Sequence, residues 1–339
     1  MPLLSSSRLF SDGPMALEAG GALPRLDMAY ETWGELAPDG GNAVLICHGY
    51  TSNPHAAGWW PGLLGPGKAI DTARWFVVCA NMLGSAYGSS GPPSIDSRSG
   101  RAYGPDFPDI TLAEMAAAQE RLLAHLGVRR LAAVIGYSFG GQLTLQWAAS
   151  RPERVGAAVV VASGLRSSSG PDAVRALEQR FAACPGWNAG HYLDGGDGER
   201  AVRESLRALR LDTLRRYGVA RHAQDQLADA AAAAARLDEL ASQWAGEFDA
   251  NALIALRKAN IRFDATPLLG AIRAPLLYVL SRSDVLYPPS IAPATMALLR
   301  DAGVDASYLE IDSEYGHFAP TANWRDWGGA LGGFLARHG

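Results

Sequence analysis

Residues 131–149 read LAAVIG-YSFGG-QLTLQWAA: an apolar, β-branched run, then a serine set between glycines, then a helical pattern with no intervening loop. A serine in that position sits on a sharp strand-to-helix turn with its hydroxyl lifted clear of the sheet. Gly136 and Gly140 are needed there because side chains would clash where strand and helix pass closely. The following helix aims its N-terminus at the serine and favours negative charge developing there. The motif alone is weakly specific in a chain with 38 glycines. Its placement between a buried strand and a helix gives it weight; the plain alternative is a serine in an ordinary tight turn.

The surrounding chain alternates short apolar runs with helical spacing, the pattern of an α/β protein with a mostly parallel sheet. Strands are expected at 26–33, 42–48, 75–80, 131–136, 157–162, 275–281 and 306–311, and helices at 112–126, 141–149, 292–299 and 324–335. The segment 167–265 differs: it is rich in Ala, Arg, Leu and Asp, contains the alanine-rich run 228–235, and has few β-branched residues. Such composition favours helix throughout. The expected organisation is a core of residues 1–166 and 266–339, interrupted by a helical cap at 167–265.

A nucleophilic serine requires a base, and the base an orienting acid. On a strand-turn-helix serine scaffold these follow in the order Ser, Asp or Glu, His. Asp284, in SRSDVLYPPS, follows the strand at 275–281; His317, in EYGHFAP, follows the strand at 306–311. Ser138, Asp284 and His317 are therefore the candidate triad. Asp312 lies too close to His317 in sequence to come from the preceding strand. His125 and His338 read as surface residues, and His191 and His222 fall in the cap. His55 lies near the expected mouth, where either substrate or solvent would meet it.

Stabilising an oxyanion takes two backbone N–H donors. Phe139, directly after the nucleophile, supplies one. The run His48-Gly49-Tyr50-Thr51 supplies the other, with Tyr50 favoured because Gly49 permits the turn that presents its amide. His48 then serves to fix the loop.

Other classes find little support. The net charge of −4 gives no general attraction to nucleic acid, and no block of like charges appears. No phosphate-binding glycine loop and no metal-ligand spacing is present, so neither a cofactor nor a metal is expected. Cys47, Cys79 and Cys184 are far apart, and the first two lie in apolar strands, as reduced core thiols do. The N-terminal stretch lacks a continuous apolar signal region and no run reaches membrane-spanning length, so a cytoplasmic location without membrane contact is expected. Cap residues Arg200, Arg203, Arg207, Arg210, Arg215 and Arg216 alternate with acids and read as a solvated face, with one or two free to meet an anionic substrate. Trp59, Trp60, Trp187 and Trp244 are candidates for an apolar pocket wall or for ordinary packing.

Several stretches resemble the homoserine O-acetyltransferase family of α/β-hydrolase-fold enzymes: Tyr30-Glu31-Thr32-Trp33-Gly34, the GPGKAIDT run at 65–72, NMLGSAYGSSGP at 81–92, YGPDFP at 103–108, the serine turn, and the Asp284 and His317 loops. The resemblance implies the same triad and oxyanion donors, a helical cap over a tunnel, and a homodimer built through the cap. It also implies acetyl-CoA as acyl donor if the activity is transfer.

Two departures bear on function. The family usually carries an aspartate after the catalytic histidine to bind the substrate amino group, and here Phe318 stands there. The family's cap arginine corresponds to Arg207 and its nearby tyrosine to Leu214. A phenyl ring in place of a charged partner weakens binding of a zwitterion. The expectation is therefore hydrolysis of small acetyl-type esters through an acyl-Ser138 intermediate, with acyl-CoA-dependent transfer to a small hydroxylated acceptor as the alternative.

Overall fold

A computed structural model describes residues 7–194, 197–227 and 229–339; Ala228, at the head of the expected alanine run, lies outside them. The main sheet comprises β1 (Arg8–Asp12), β2 (Leu26–Trp33), β3 (Ala43–Cys47), β4 (Phe76–Ala80), β5 (Leu131–Tyr137), β6 (Ala158–Val161), β7 (Leu276–Ser281) and β8 (Ala306–Ile311). Their order is β1-β2-β4-β3-β5-β6-β7-β8. The pairs β1–β2 and β2–β4 are antiparallel, and the remaining neighbours run parallel.

Strands β3, β4 and β6 are buried along their whole length, because helices cover both faces of a parallel sheet. Alternate residues feed two cores: Leu45 and Cys47 on one face, Val44 and Ile46 on the other. The edge strand β1, RLFSD, buries only Phe10. Its polar alternation explains why the sequence pattern does not announce it.

Helix α1 (Leu112–His125) starts at a capping box in which Thr111 and Glu114 bond each other's backbone N–H, satisfying two otherwise orphaned donors. Helix α2 (Phe139–Ser150) begins directly after Ser138 and is almost wholly buried. Between β6 and β7 the described elements are helical: α3 (Ala173–Ala182), α4 (Asp197–Arg216), α5 (Val219–Gln226), α6 (Ala230–Glu247) and α7 (Ala250–Arg262), with short 3-10 turns. An isolated antiparallel bridge and a 2.8 Å ion pair join Arg166 to Asp264, bringing the two ends of this segment together. Helices α8 (Ala292–Asp301) and α9 (Trp324–His338) complete the covering layers. Among the described residues, no helix is long and apolar enough to cross a membrane.

Strand register places the candidate site. Cys47 pairs with Gly136, so the 48–51 loop and the Ser138 turn leave the sheet side by side. Ser281 pairs with Ile311, so the Asp284 and His317 loops also leave together.

Candidate active site

Ser138 holds φ 56° and ψ −119°, a backbone conformation that costs a non-glycine residue about 1–3 kcal/mol. Its N–H donates to the Val161 carbonyl at 2.8 Å, which pins the turn to β6. A Cβ at Gly136 would lie 1.9 Å from the Gly140 carbonyl oxygen, and one at Gly140 would lie 1.9 Å from the Cys47 carbonyl oxygen. Both glycines are therefore fixed by backbone-to-backbone contact.

The three triad candidates meet. The Ser138 hydroxyl lies 2.9 Å from His317 Nε2, and His317 Nδ1 lies 2.7 Å from Asp284 Oδ2. A carboxylate only accepts, so Nδ1–H donates to Asp284 and Nε2 is left to accept from the serine. Asp284 Oδ1 accepts the N–H groups of Leu286 at 2.8 Å and Tyr287 at 3.3 Å, which fixes the carboxylate plane. The His317 and Asp284 side chains are both 0% exposed. The Tyr137 hydroxyl donates to the His317 carbonyl at 2.6 Å, and the Tyr217 ring stands edge-on to the imidazole at 4.8 Å.

Tyr50 and Phe139 line the same cavity as Ser138. The loop carrying Tyr50 is held by His48: Nδ1–H donates to the Gly49 carbonyl at 2.8 Å, and Nε2 accepts the Met82 N–H at 3.2 Å. Both bonds belong to a neutral imidazole, and burial pushes the His48 pKa down to about 4.

The cavity is about 570 Å³, walled by the oxyanion loop and the serine turn on one side and the helical segment on the other. Two sequence expectations need correcting here. Arg207 is not in this wall: it lies on an outer cleft and bonds Glu204, Asp238 and Ser242. Phe318 also stands outside the wall, its ring packed edge-on to His222 at 5.3 Å. Its N–H is tied to the Tyr217 carbonyl at 2.8 Å, and the short helix Ala319–Ala322 starts directly after it.

The cap residues that face the cavity include Arg210 and Tyr217, seven positions apart like Arg207 and Leu214 but three residues further along the chain, with Tyr217 directly after α4. Arg210 Nη1 donates to Thr51 Oγ1 at 3.2 Å, and its guanidinium lies 5.3 Å from the Trp244 ring. Its Nε is buried without a partner. Desolvation pulls its pKa below the ordinary guanidinium value. Of the other expected solvated arginines, Arg203 pairs with Glu199 and Arg215 with Asp212, while Arg216 also lines the cavity with its side chain exposed. Of the four tryptophans considered for the wall, only Trp244 lines it. Trp60 packs on Trp327, and Trp187 stacks between Phe181 and Tyr192. His55 bonds Glu31 at 2.8 Å rather than facing the cavity.

This fold, with its serine at the strand-helix turn, defines an enzyme of the α/β-hydrolase class, and the alpha/beta hydrolase fold family matches residues 42–320. The homoserine O-acetyltransferase of Chlorobaculum parvum is 36% identical over 329 residues, spanning 93% of this chain and 90% of that one. Within its class, the chain belongs to the homoserine O-acetyltransferase-like family. The crystal structure of the Bacillus anthracis homoserine O-acetyltransferase superposes with a TM-score of 0.83 at 25% identity, covering 98% of each chain. That of esterase E22 gives 0.83 at 24% identity, covering 97% of this chain and 99% of the other, which is a likeness of fold.

Proposed function

We propose that the protein is an acyl-CoA-dependent O-acyltransferase whose acceptor is a small molecule bearing a hydroxyl and a carboxylate. Arg210 carries this reading: it is a half-buried cation facing the nucleophile's cavity, its Nε buried, with no carboxylate partner among the described residues. Burying a charge without a partner is costly, and a carboxylate in the cavity would remove that cost. A simple ester hydrolase has no need of such a group. The curated relatives named homoserine O-acetyltransferase, 36–38% identical over about 90% of the chain, support transfer over the hydrolysis expected from Phe318 alone.

In the proposed mechanism Ser138 Oγ attacks the thioester carbonyl while His317 Nε2 takes its proton. The oxyanion forms against the Tyr50 and Phe139 amides. The tetrahedral intermediate expels the CoA thiolate, which receives the proton from His317. Arg210 and Thr51 then hold the acceptor carboxylate. Burial raises the Tyr217 pKa, so its phenol is available as an O–H donor beside them. His317 deprotonates the acceptor hydroxyl, which attacks the acyl-Ser138 carbonyl. Collapse of the second intermediate releases the O-acyl product and returns the proton to Ser138.

Hydrolysis is the second reading, favoured by the lack of a carboxylate at Phe318, where the family usually carries one for an acceptor ammonium. Free CoA release from acetyl-CoA, measured with and without homoserine, serine and hydroxy-acids, separates the two. Release stimulated by one of these acceptors supports transfer; fast turnover of short esters with no acceptor-dependent release supports hydrolysis.

A further inference from the structure

Besides Arg210, two more arginines line the cavity: Arg216, whose side chain is exposed to solvent, and Arg257, which is half-buried. Arg257, on α7, shares one helical face with Leu253 and Asn260, and all three line the wall. Its guanidinium lies 4.4 Å above the Tyr50 ring. Nη1 donates to Ser169 Oγ and to Asn260 Oδ1, the latter at 3.2 Å, and Nε is buried without a partner. Asn260 Nδ2 donates in turn to Gln142 Oε1 at 2.6 Å, one turn along α2 from Ser138. Arg257 is thus braced against the helix that carries the nucleophile.

No carboxylate among the described residues pairs with Arg257. The acids of the cavity, Asp172 and Asp212, are 79% and 71% exposed and pair with Arg175 and Arg215. Lys258 and Arg262, its neighbours on α7, pair with Asp109. Arg210 and Arg257 therefore flank the oxyanion loop, one bonded to Thr51 and the other stacked on Tyr50, and neither is neutralised. Two half-buried, unpaired cations in one cavity repel each other and each loses part of its hydration, whereas Arg216 stands in solvent. One anionic ligand group answers only one of them.

We infer that Arg257, with Ser169 beside it, is a second carboxylate seat, so that the reactants in this cavity carry two carboxylates. This rests on the proposal that Arg210 receives the acceptor's carboxylate. The second comes from the free end of the acyl group, as in the half-thioester of a dicarboxylic acid, or from a second carboxylate on the acceptor. The seat lies over the loop that holds the thioester oxygen, within reach of either source.

Calorimetry tests the seat independently of turnover. Succinate and butyrate, equal in length but unequal in charge, are titrated into the wild type, Arg257→Leu and Arg257→Lys, each checked for folding by its thermal transition. Succinate should bind the wild type roughly 10- to 100-fold more tightly than butyrate, the range of a charge-assisted pair. The gap should close in Arg257→Leu and survive in part in Arg257→Lys. Equal binding of the two by the wild type, or a gap that persists in Arg257→Leu, overturns the inference.

Two kinetic ratios locate the source. A fall in the succinyl-CoA to acetyl-CoA ratio of Ser138 acylation in Arg257→Leu assigns the second carboxylate to the acyl group. A fall in the malate to lactate ratio as acceptors assigns it to the acceptor. Flat ratios in both overturn the seat. Failure of the wild type to acylate Ser138, even with p-nitrophenyl acetate, counts against the transferase proposal, while the calorimetry still decides the seat.

Discussion

The N–H of Phe318 donates to the carbonyl of Tyr217 across 2.8 Å, so the end of the helix that carries Arg210 is bonded to the loop that carries His317. The cavity wall that carries Arg210 and the triad histidine are thereby coupled through the main chain. Gly218 makes the approach possible: its φ is +88°, and a Cβ there would lie 2.2 Å from the Tyr315 carbonyl oxygen.

Gly218→Ala should therefore loosen His317 as well as strain α4. The expected cost is about 1–3 kcal/mol of stability, seen as a lower midpoint in urea unfolding. The fall in kcat should exceed the change in acceptor KM, because the base is displaced. Unchanged kcat in a folded variant would show that the bond does not position His317.

Arg210 and Arg207 give a matched pair. Arg210→Leu should raise the acceptor KM roughly 10- to 100-fold. Because it removes a half-buried cation with no carboxylate partner among the described residues, it should leave stability level or raise it. Arg207→Leu removes a cation held by Glu204 and Asp238 on an outer cleft and should leave acceptor KM unchanged. Steady-state kinetics and thermal melts of the two variants, read side by side, check both expectations.

How much of this was legible differs by residue. The serine turn could be read because backbone contact at Gly136 and Gly140 admits no side chain, so the requirement is written into residue type. The buried strands could be read because two covered faces demand unbroken apolar runs. The cavity-facing arginine could not. Arg207 and Arg210 sit about 60° apart around the helix, and α4 is charged along both faces, so no periodicity separates a cavity from solvent. Arg257 was equally hidden, since an arginine between Leu256 and Lys258 looks like any helix surface. Only the packing of α7 over Tyr50 shows that it faces the cavity.

His48 predicts an acid-sensitive fold. Its pKa is pushed from 6.5 to about 4 by burial, so between those pH values the unfolded chain binds a proton that the folded protein does not. Stability is then complete above about pH 6.5 and falls as pH drops towards 4, by on the order of 3 kcal/mol in all. Below pH 4 both states are protonated and this contribution stops changing. His48→Gln should be less stable at pH 7 and show a shallower loss between pH 6.5 and 4. Denaturant midpoints across that range measure it, and an equal slope in both proteins would contradict it.

The central claim is that Ser138 carries the acyl group from a thioester to an acceptor. Intact-protein mass spectrometry after brief mixing with acyl-CoA tests it most directly, followed by a chase with a hydroxy-carboxylate acceptor. The account predicts a one-acyl mass gain located on Ser138, absent in Ser138→Ala and discharged faster by the acceptor than by water. No adduct from any acyl-CoA, or an adduct that water clears as fast as every acceptor, would contradict it.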